Sequence, residues 1–181
     1  AMYYLGRIRY KNNDYELAKT PLSKLAAQRS SKYCEEGTRR LAEMAYNHKD
    51  YGVAMEAYGS LISVTGNPST KLNAQVQRLR AAQLAGNHAL IVKETATVPA
   101  NGKLLPETAT ELRYYRAKAY LAQGKNDTAI EDLRMLSEDT RIVYGAEAKY
   151  LLAQLYYDIR QYDNAEKEVI DYISVSTPHS Y

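Results

Sequence analysis

At 181 residues and 45 % apolar content, the chain is long enough to bury a core of its own. Its formal net charge of +3 lacks the basic excess of a nucleic-acid binder, and no apolar stretch approaches the roughly 18–20 residues of a transmembrane helix. A single cysteine, Cys34, excludes an intrachain disulfide framework.

From residue 2 onward, apolar residues recur at helical spacing between short polar breaks. The spacing predicts helices over 2–12 and 15–28, 34–48 and 51–64, 71–85 and 88–97, 109–123 and 126–137, and 145–160 and 162–175. The breaks are Asn12-Asn13-Asp14, His48-Lys49-Asp50, Ala85-Gly86-Asn87, Gly124-Lys125-Asn126 and Arg160-Gln161. Asn, Asp and Gly there can end one helix and cap the next. Gly66-Asn67-Pro68-Ser69-Thr70 reads as a turn between helix pairs. Residues 98–107, with Pro99, Gly102 and Pro106, read as a longer surface loop of the kind that sometimes carries function.

The helix pairs repeat. A small residue is followed by alanine twelve positions on at Gly6 and Ala18, Ala42 and Ala54, Ala117 and Ala129, and Ala153 and Ala165. Successive second members lie 36, 75 and 36 residues apart, which fits five units near 1–32, 33–69, 70–107, 108–143 and 144–181 in a single array. Such a period predicts an all-α fold, a right-handed α-α superhelix (solenoid) of about five helix-turn-helix repeats. Small residues belong where the two helices of a hairpin cross, so Ala129→Leu or Ala165→Leu should destabilise the array. In the third unit the pair becomes Leu79 and Ile91, both large, and this hairpin is expected to be splayed or packed differently.

The pattern resembles the tetratricopeptide repeat. Leu5-Gly6, Tyr10, Asp14-Tyr15 and Ala18 match its consensus, as do Leu41-Ala42, Tyr46, Asp50-Tyr51, Ala54 and Tyr58. The fourth unit gives Ala117, Tyr120, Gly124, Ala129 and Leu133, and the fifth Leu152-Ala153, Tyr156-Tyr157, Tyr162 and Ala165. The large aromatic that usually opens the first helix is missing, and the units run slightly over the usual length. Residues 146–181 are also similar to bacterial cell-envelope repeat proteins of the outer-membrane-assembly and Tol-Pal-associated kind.

Eighteen tyrosines accompany no phenylalanine and no tryptophan. Tyr15, Tyr51 and Tyr162 open second helices, and Tyr58, Tyr120, Tyr156 and Tyr172 lie on apolar stripes. All of these suit core packing with the hydroxyl reaching the surface. Another set lies three before, one after and four after each small residue: Tyr3, Arg7 and Tyr10; Arg39, Glu43 and Tyr46; Val76, Arg80 and Gln83; Tyr114, Lys118 and Leu121; Tyr150, Gln154 and Tyr157. That spacing puts each trio on one helix face. The resemblance implies that this face lines the concave groove that receives peptides or partner helices. The expected partner-binding residues are therefore Tyr3, Arg7, Tyr10, Arg39, Tyr46, Arg80, Tyr114, Lys118, Tyr150, Gln154 and Tyr157, types enriched at binding hot spots. The family's Lys, Asn and Arg clamp for a C-terminal carboxylate is not reproduced, since Tyr3 and Arg7 stand at the matching places. Chaperone tails are accordingly not expected as ligands.

Catalytic chemistry leaves no trace in the sequence. His48, His88 and His179 are widely separated, and no HExxH, CxxC or glycine-rich phosphate cradle occurs. Neighbouring acids such as Glu35-Glu36 and Glu131-Asp132 diverge around a helix, and Cys34 has no base partner. The expectation is a non-catalytic scaffold that binds a protein or peptide partner, with no cofactor, metal or nucleic acid. The alternative is the sensor or linker part of a larger regulator or enzyme. Residues 1–90 carry 13 Lys and Arg against 7 acids and residues 91–181 carry 11 against 14, a polarity that suits steering of an acidic partner, head-to-tail self-association, or simply two differently charged solvated faces. The chain opens inside a helical pattern and stops at Thr177-Pro178-His179-Ser180-Tyr181, where another repeat would begin. It therefore reads as an excised piece, and self-association through its uncapped repeat ends is expected as an artefact of the excision.

Overall fold

The computed structural model describes residues 2–98, 104–139 and 141–176. Among these residues ten α-helices follow one another and there is no strand: α1 (Met2–Lys11), α2 (Tyr15–Ala27), α3 (Cys34–Asn47), α4 (Tyr51–Val64), α5 (Pro68–Leu84), α6 (His88–Thr95), α7 (Pro106–Ala122), α8 (Asn126–Ser137), α9 (Gly145–Asp158) and α10 (Tyr162–Ser176). The fold is all-α, as the periodicity required. Two helices start earlier than the sequence suggested. Both α5 and α7 begin at a proline, Pro68 and Pro106, in the first turn. Proline is favoured there because its missing N–H would have no intrahelical acceptor and its φ is already helical. At α5 the Asn67 side chain completes the start by accepting from Ser69 N and Thr70 N at 2.9 and 3.1 Å. Residues 99–103 of the expected loop and the link at 177–181 lie outside the described residues.

Every hairpin turns in the same way. The seventh residue after the small residue, or after Leu79 in the third pair, has a left-handed backbone: Asn13 (φ 57°), Lys49 (63°), Gly86 (68°), Gly124 (69°) and Arg160 (63°). Its N–H bonds the carbonyl three residues back, and the next N–H reaches five residues back, as in Lys49 to Tyr46 and Asp50 to Ala45 at 3.0 and 2.8 Å. This pair of bonds satisfies the last carbonyls of each first helix. A left-handed residue with a Cβ is strained by about 1–2 kcal/mol. The exposed Lys49 side chain makes no hydrogen bond or ion pair among the described residues, so Lys49→Gly is expected to raise stability, by about 0.5–1 kcal/mol once the greater freedom of the unfolded glycine is subtracted. A urea titration that shows a lowered midpoint would contradict this account of the turn.

The helices form two compact units. One runs to Leu90 and includes residues 96–98 as well, and the other takes up Ile91–Thr95 and continues from Leu104. In the first, α2 packs between α1 and α3, and α4 between α3 and α5; in the second, α8 packs between α7 and α9, and α10 covers α9. Leu22, Leu25, Leu41, Met44, Tyr58 and Leu61 fill the first core, and Leu133, Leu136, Leu152, Leu155 and Tyr156 the second. All the small residues of the four pairs are buried. A Cβ on Gly6 would stand 2.8 Å from Leu22 Cδ2, which shows how close the α1–α2 approach is. The chain divides inside α6, in the unit where Leu79 and Ile91, both buried, replace the small pair.

Candidate partner-binding face

In the first unit the expected stripe is laid out on α1, α3 and α5. Arg7 and Arg39 are exposed, whereas Tyr3, Tyr10, Tyr46 and Arg80 are half-buried. Glu43 draws part of the stripe together: the Tyr10 hydroxyl donates to its Oε2 at 2.8 Å, and Arg39 Nη1 donates to its Oε1 at 3.5 Å. That bond first, and burial second, raises the Tyr10 pKa, so the phenol stays protonated and remains a donor. Arg40, outside the stripe, lies 5.0 Å from the Tyr10 ring centroid. Tyr3 stacks on Tyr33 at 4.0 Å, and Tyr46 meets Tyr51 edge-on at 5.8 Å. The polar surface of this unit is thus a set of arginines around tyrosines whose rings already serve the packing.

In the second unit, α7 and α9 carry the stripe, and its members differ in exposure. Tyr114 is only 4 % exposed, stacked on Tyr144 at 4.6 Å with its hydroxyl on the Glu147 carboxylate and the Lys118 ammonium 5.4 Å from its ring. Burial, then the Glu147 bond, raises its pKa. Tyr150 and Tyr157 are 55 % and 65 % exposed, and Gln154 between them is exposed as well. Together with Ala153 these three form one wall of a cleft of about 560 Å³, and α10 supplies the other with Tyr162, Asp163, Ala165, Glu166 and Val169.

The α10 wall lies outside the expected stripe, which runs along first helices alone. Tyr33 and Tyr144 lie outside it as well, although each stands 30 positions after the tyrosine it covers, and that shared offset was a usable signal. The second-helix tyrosines divide too. Tyr15 is buried; its hydroxyl donates to Asp50 Oδ2 at 2.7 Å and its ring stacks on His48, so burial and that bond push its pKa up to about 12. Tyr162, at the same repeat position, is exposed, because no later turn among the described residues supplies the counterparts of His48 and Asp50.

Polar contacts elsewhere hold helices together. Lys19 Nζ and the Tyr15 hydroxyl both donate to Asp50, which lowers its pKa. Arg116 Nε and Nη2 donate to Asp132 at 2.7 and 2.6 Å, joining α7 to α8. Cys34 is buried with its thiol 3.4 Å from the Ala26 carbonyl. Among the described residues no group of His, Cys, Asp and Glu is placed to hold a metal, and no helix is long and apolar enough to cross a membrane.

Two family models, both described as tetratricopeptide repeat, match residues 1–30 and 114–179, together just over half of the chain. Among solved structures, MamA matches with a TM-score of 0.67 at 15 % identity, over 94 % of this chain and 93 % of that one. The nearly identical TPR-like repeats of a Podosopora anserina kinesin light chain give 0.62 at 19 % identity, over 96 % and 92 %. The C-terminal part of a TPR repeat-containing protein from Cytophaga hutchinsonii gives 0.64 at 16 % identity, over 96 % of this chain and 64 % of that one. Among curated proteins none matches significantly. At such identities the likeness to the solved structures is one of fold.

Proposed function

Because the chain belongs to the tetratricopeptide-repeat family, whose fold is generally a non-catalytic scaffold for protein–protein interaction, we propose that it binds an extended peptide or a helix of a protein partner along its first-helix faces. The observation that carries this reading is the exposure of Tyr150 and Tyr157 on either side of Gln154, along an apolar-walled cleft. Large aromatics left in water beside a cleft are the anchors that interfaces use, because they bury much area at little entropic cost. Arg7 and Arg39 add exposed donors on the same face of the first unit, and the Tyr10–Glu43 bond holds that surface in place. Tyr114 contributes through its packing, since its ring is covered.

A photo-crosslinking amino acid placed in turn at Arg39, Gln154, Lys24 and Glu56, all exposed, tests the reading in the source cell. Capture of one protein from the first-helix positions Arg39 and Gln154, and not from the second-helix positions Lys24 and Glu56, is the expected result. Equal capture from all four, or capture from the second helices alone, would move the binding face away from the stripe.

A further inference from the structure

Charge is spread unevenly over the helices of the first unit, and its distribution points to the chemistry of a partner. The first helices α1, α3 and α5 together carry eight Lys and Arg against three acids, all three of them on α3. The second helices α2 and α4 are balanced, with Lys19 and Lys24 against Glu16 and Glu56. In the second unit the first helices α7 and α9 are balanced too, at four against four. Most of the basic excess of residues 1–90 therefore lies on one set of helices.

Packing within the unit engages the acids and leaves cations over. Glu35 accepts from the Thr65 hydroxyl at 2.9 Å, Glu36 pairs with Arg40, and Glu43 accepts from Tyr10 and Arg39. Arg39, by contrast, has among the described residues only its 3.5 Å contact with Glu43, and its side chain is 48 % exposed. Helix α3 is packed between α2 and α4, so the exposure of Arg39 does not depend on where the chain begins. Nη1 of Arg40 is buried without a hydrogen-bond partner. Arg7, at the register of Glu43 on α1, is exposed and makes no hydrogen bond or ion pair among the described residues. Tyr10 fixes the centre of this surface: its hydroxyl holds Oε2 of Glu43, so that Oε1 is the weak partner which an incoming carboxylate can replace at Arg39.

Resting on the assignment of the first-helix faces to a protein partner, we propose that the segment bound on the first unit is an acidic peptide, whose Asp and Glu carboxylates are received by Arg39, with Arg7 adding a second cation. Guanidinium takes a carboxylate through two parallel bonds, which the long contact to Glu43 does not provide. Opposite charge speeds encounter and makes association weaken with salt. A single-stranded nucleic acid would need open aromatic rings for its bases as well as cations. On this face Tyr3 is stacked on Tyr33, Tyr10 lies against Arg40 and Tyr46 meets Tyr51 edge-on, so the rings are already engaged.

Short random peptides displayed on phage, selected on the chain and then titrated as labelled peptides by fluorescence anisotropy, test this. The enriched peptides are expected to be richer in Asp and Glu than the unselected library and to bind more weakly as salt is raised. Arg39→Gln should weaken them about fivefold, and Arg7→Gln added to it should bring the loss to about tenfold or more. Lys24→Gln with Arg29→Gln removes the same charge from exposed positions in and just after α2, and should change affinity by less than about twofold. Selection of neutral or basic peptides, or of none, overturns the proposal, as does a single-stranded RNA that displaces the acidic peptides at about tenfold lower concentration. Neutral peptides that crosslink at Gln154 would leave the first-helix face in place and overturn only its acidic partner. Acidic peptides weakened by the α2 substitutions and not by Arg39→Gln would overturn the first-helix assignment itself. Circular dichroism checks that the helices persist; should the double variant fail to fold, the acidic enrichment on the native chain and its salt dependence decide.

Discussion

Asp132→Ala is expected to lower the stability of the second unit by about 3 kcal/mol, the low end of the range for breaking a buried ion pair. Asp132 is buried and accepts two bonds from Arg116, with Arg113 Nε a further 3.9 Å away. Removing the carboxylate strands a guanidinium whose side chain is 28 % exposed, so water partly compensates and the upper end of the range is not reached. The repeat itself offers the rescue. At the positions of Arg116 and Asp132 the second hairpin has Leu41 and Ala57, both buried. The double variant Arg116→Leu, Asp132→Ala copies that pair and should recover most of the loss, because an apolar pair of fitting shape replaces an ion pair at little or no cost. Chemical denaturation of the three proteins measures both steps. A double variant no more stable than Asp132→Ala would mean that the charge pair is not interchangeable with its apolar equivalent.

Ala129→Leu should cost about 2 kcal/mol, because three added carbon atoms must enter the α7–α8 crossing opposite Ala117, where both alanines are fully covered. Ala165→Leu is expected to cost much less. Although it has the same register, Ala165 lines the cleft of about 560 Å³ with Ala153, and a leucine there has space to turn into. The two melting temperatures, compared with the native one, measure the difference. Equal losses would show that the cleft offers the larger side chain no room, and no loss in either would place the helix crossing elsewhere. From sequence alone the two alanines looked equivalent.

That inequality shows where the sequence could be read and where it could not. Hairpin register was legible because Gly6, Ala42, Ala117 and Ala153 sit where two backbones approach, a demand that leaves few residue types to choose from. The turn residues share a backbone conformation and little else: Gly86, Gly124 and Asn13 are types that favour a left-handed φ, whereas Lys49 and Arg160 give no such sign. Pro68 and Pro106 read as breakers in the sequence yet open helices, since the missing N–H is harmless in a first turn. The binding face was the least legible part. Tyr3, Tyr114 and Tyr150 share one register, yet Tyr33 covers the first, Tyr144 covers the second, and Tyr150 is left open. Exposure along a helix face is decided by the neighbouring hairpin, which single-helix periodicity does not contain.

The shared turn also bears on how such a chain reaches its fold. Each reversal is closed by two backbone bonds spanning three and five residues, and each helix within a unit rests chiefly on its neighbours in sequence. Little of the loop entropy that slows β-rich topologies has to be surrendered before contacts form. Hairpins can therefore nucleate at more than one place along the chain, and a damaged turn would delay its own neighbourhood without holding back the rest.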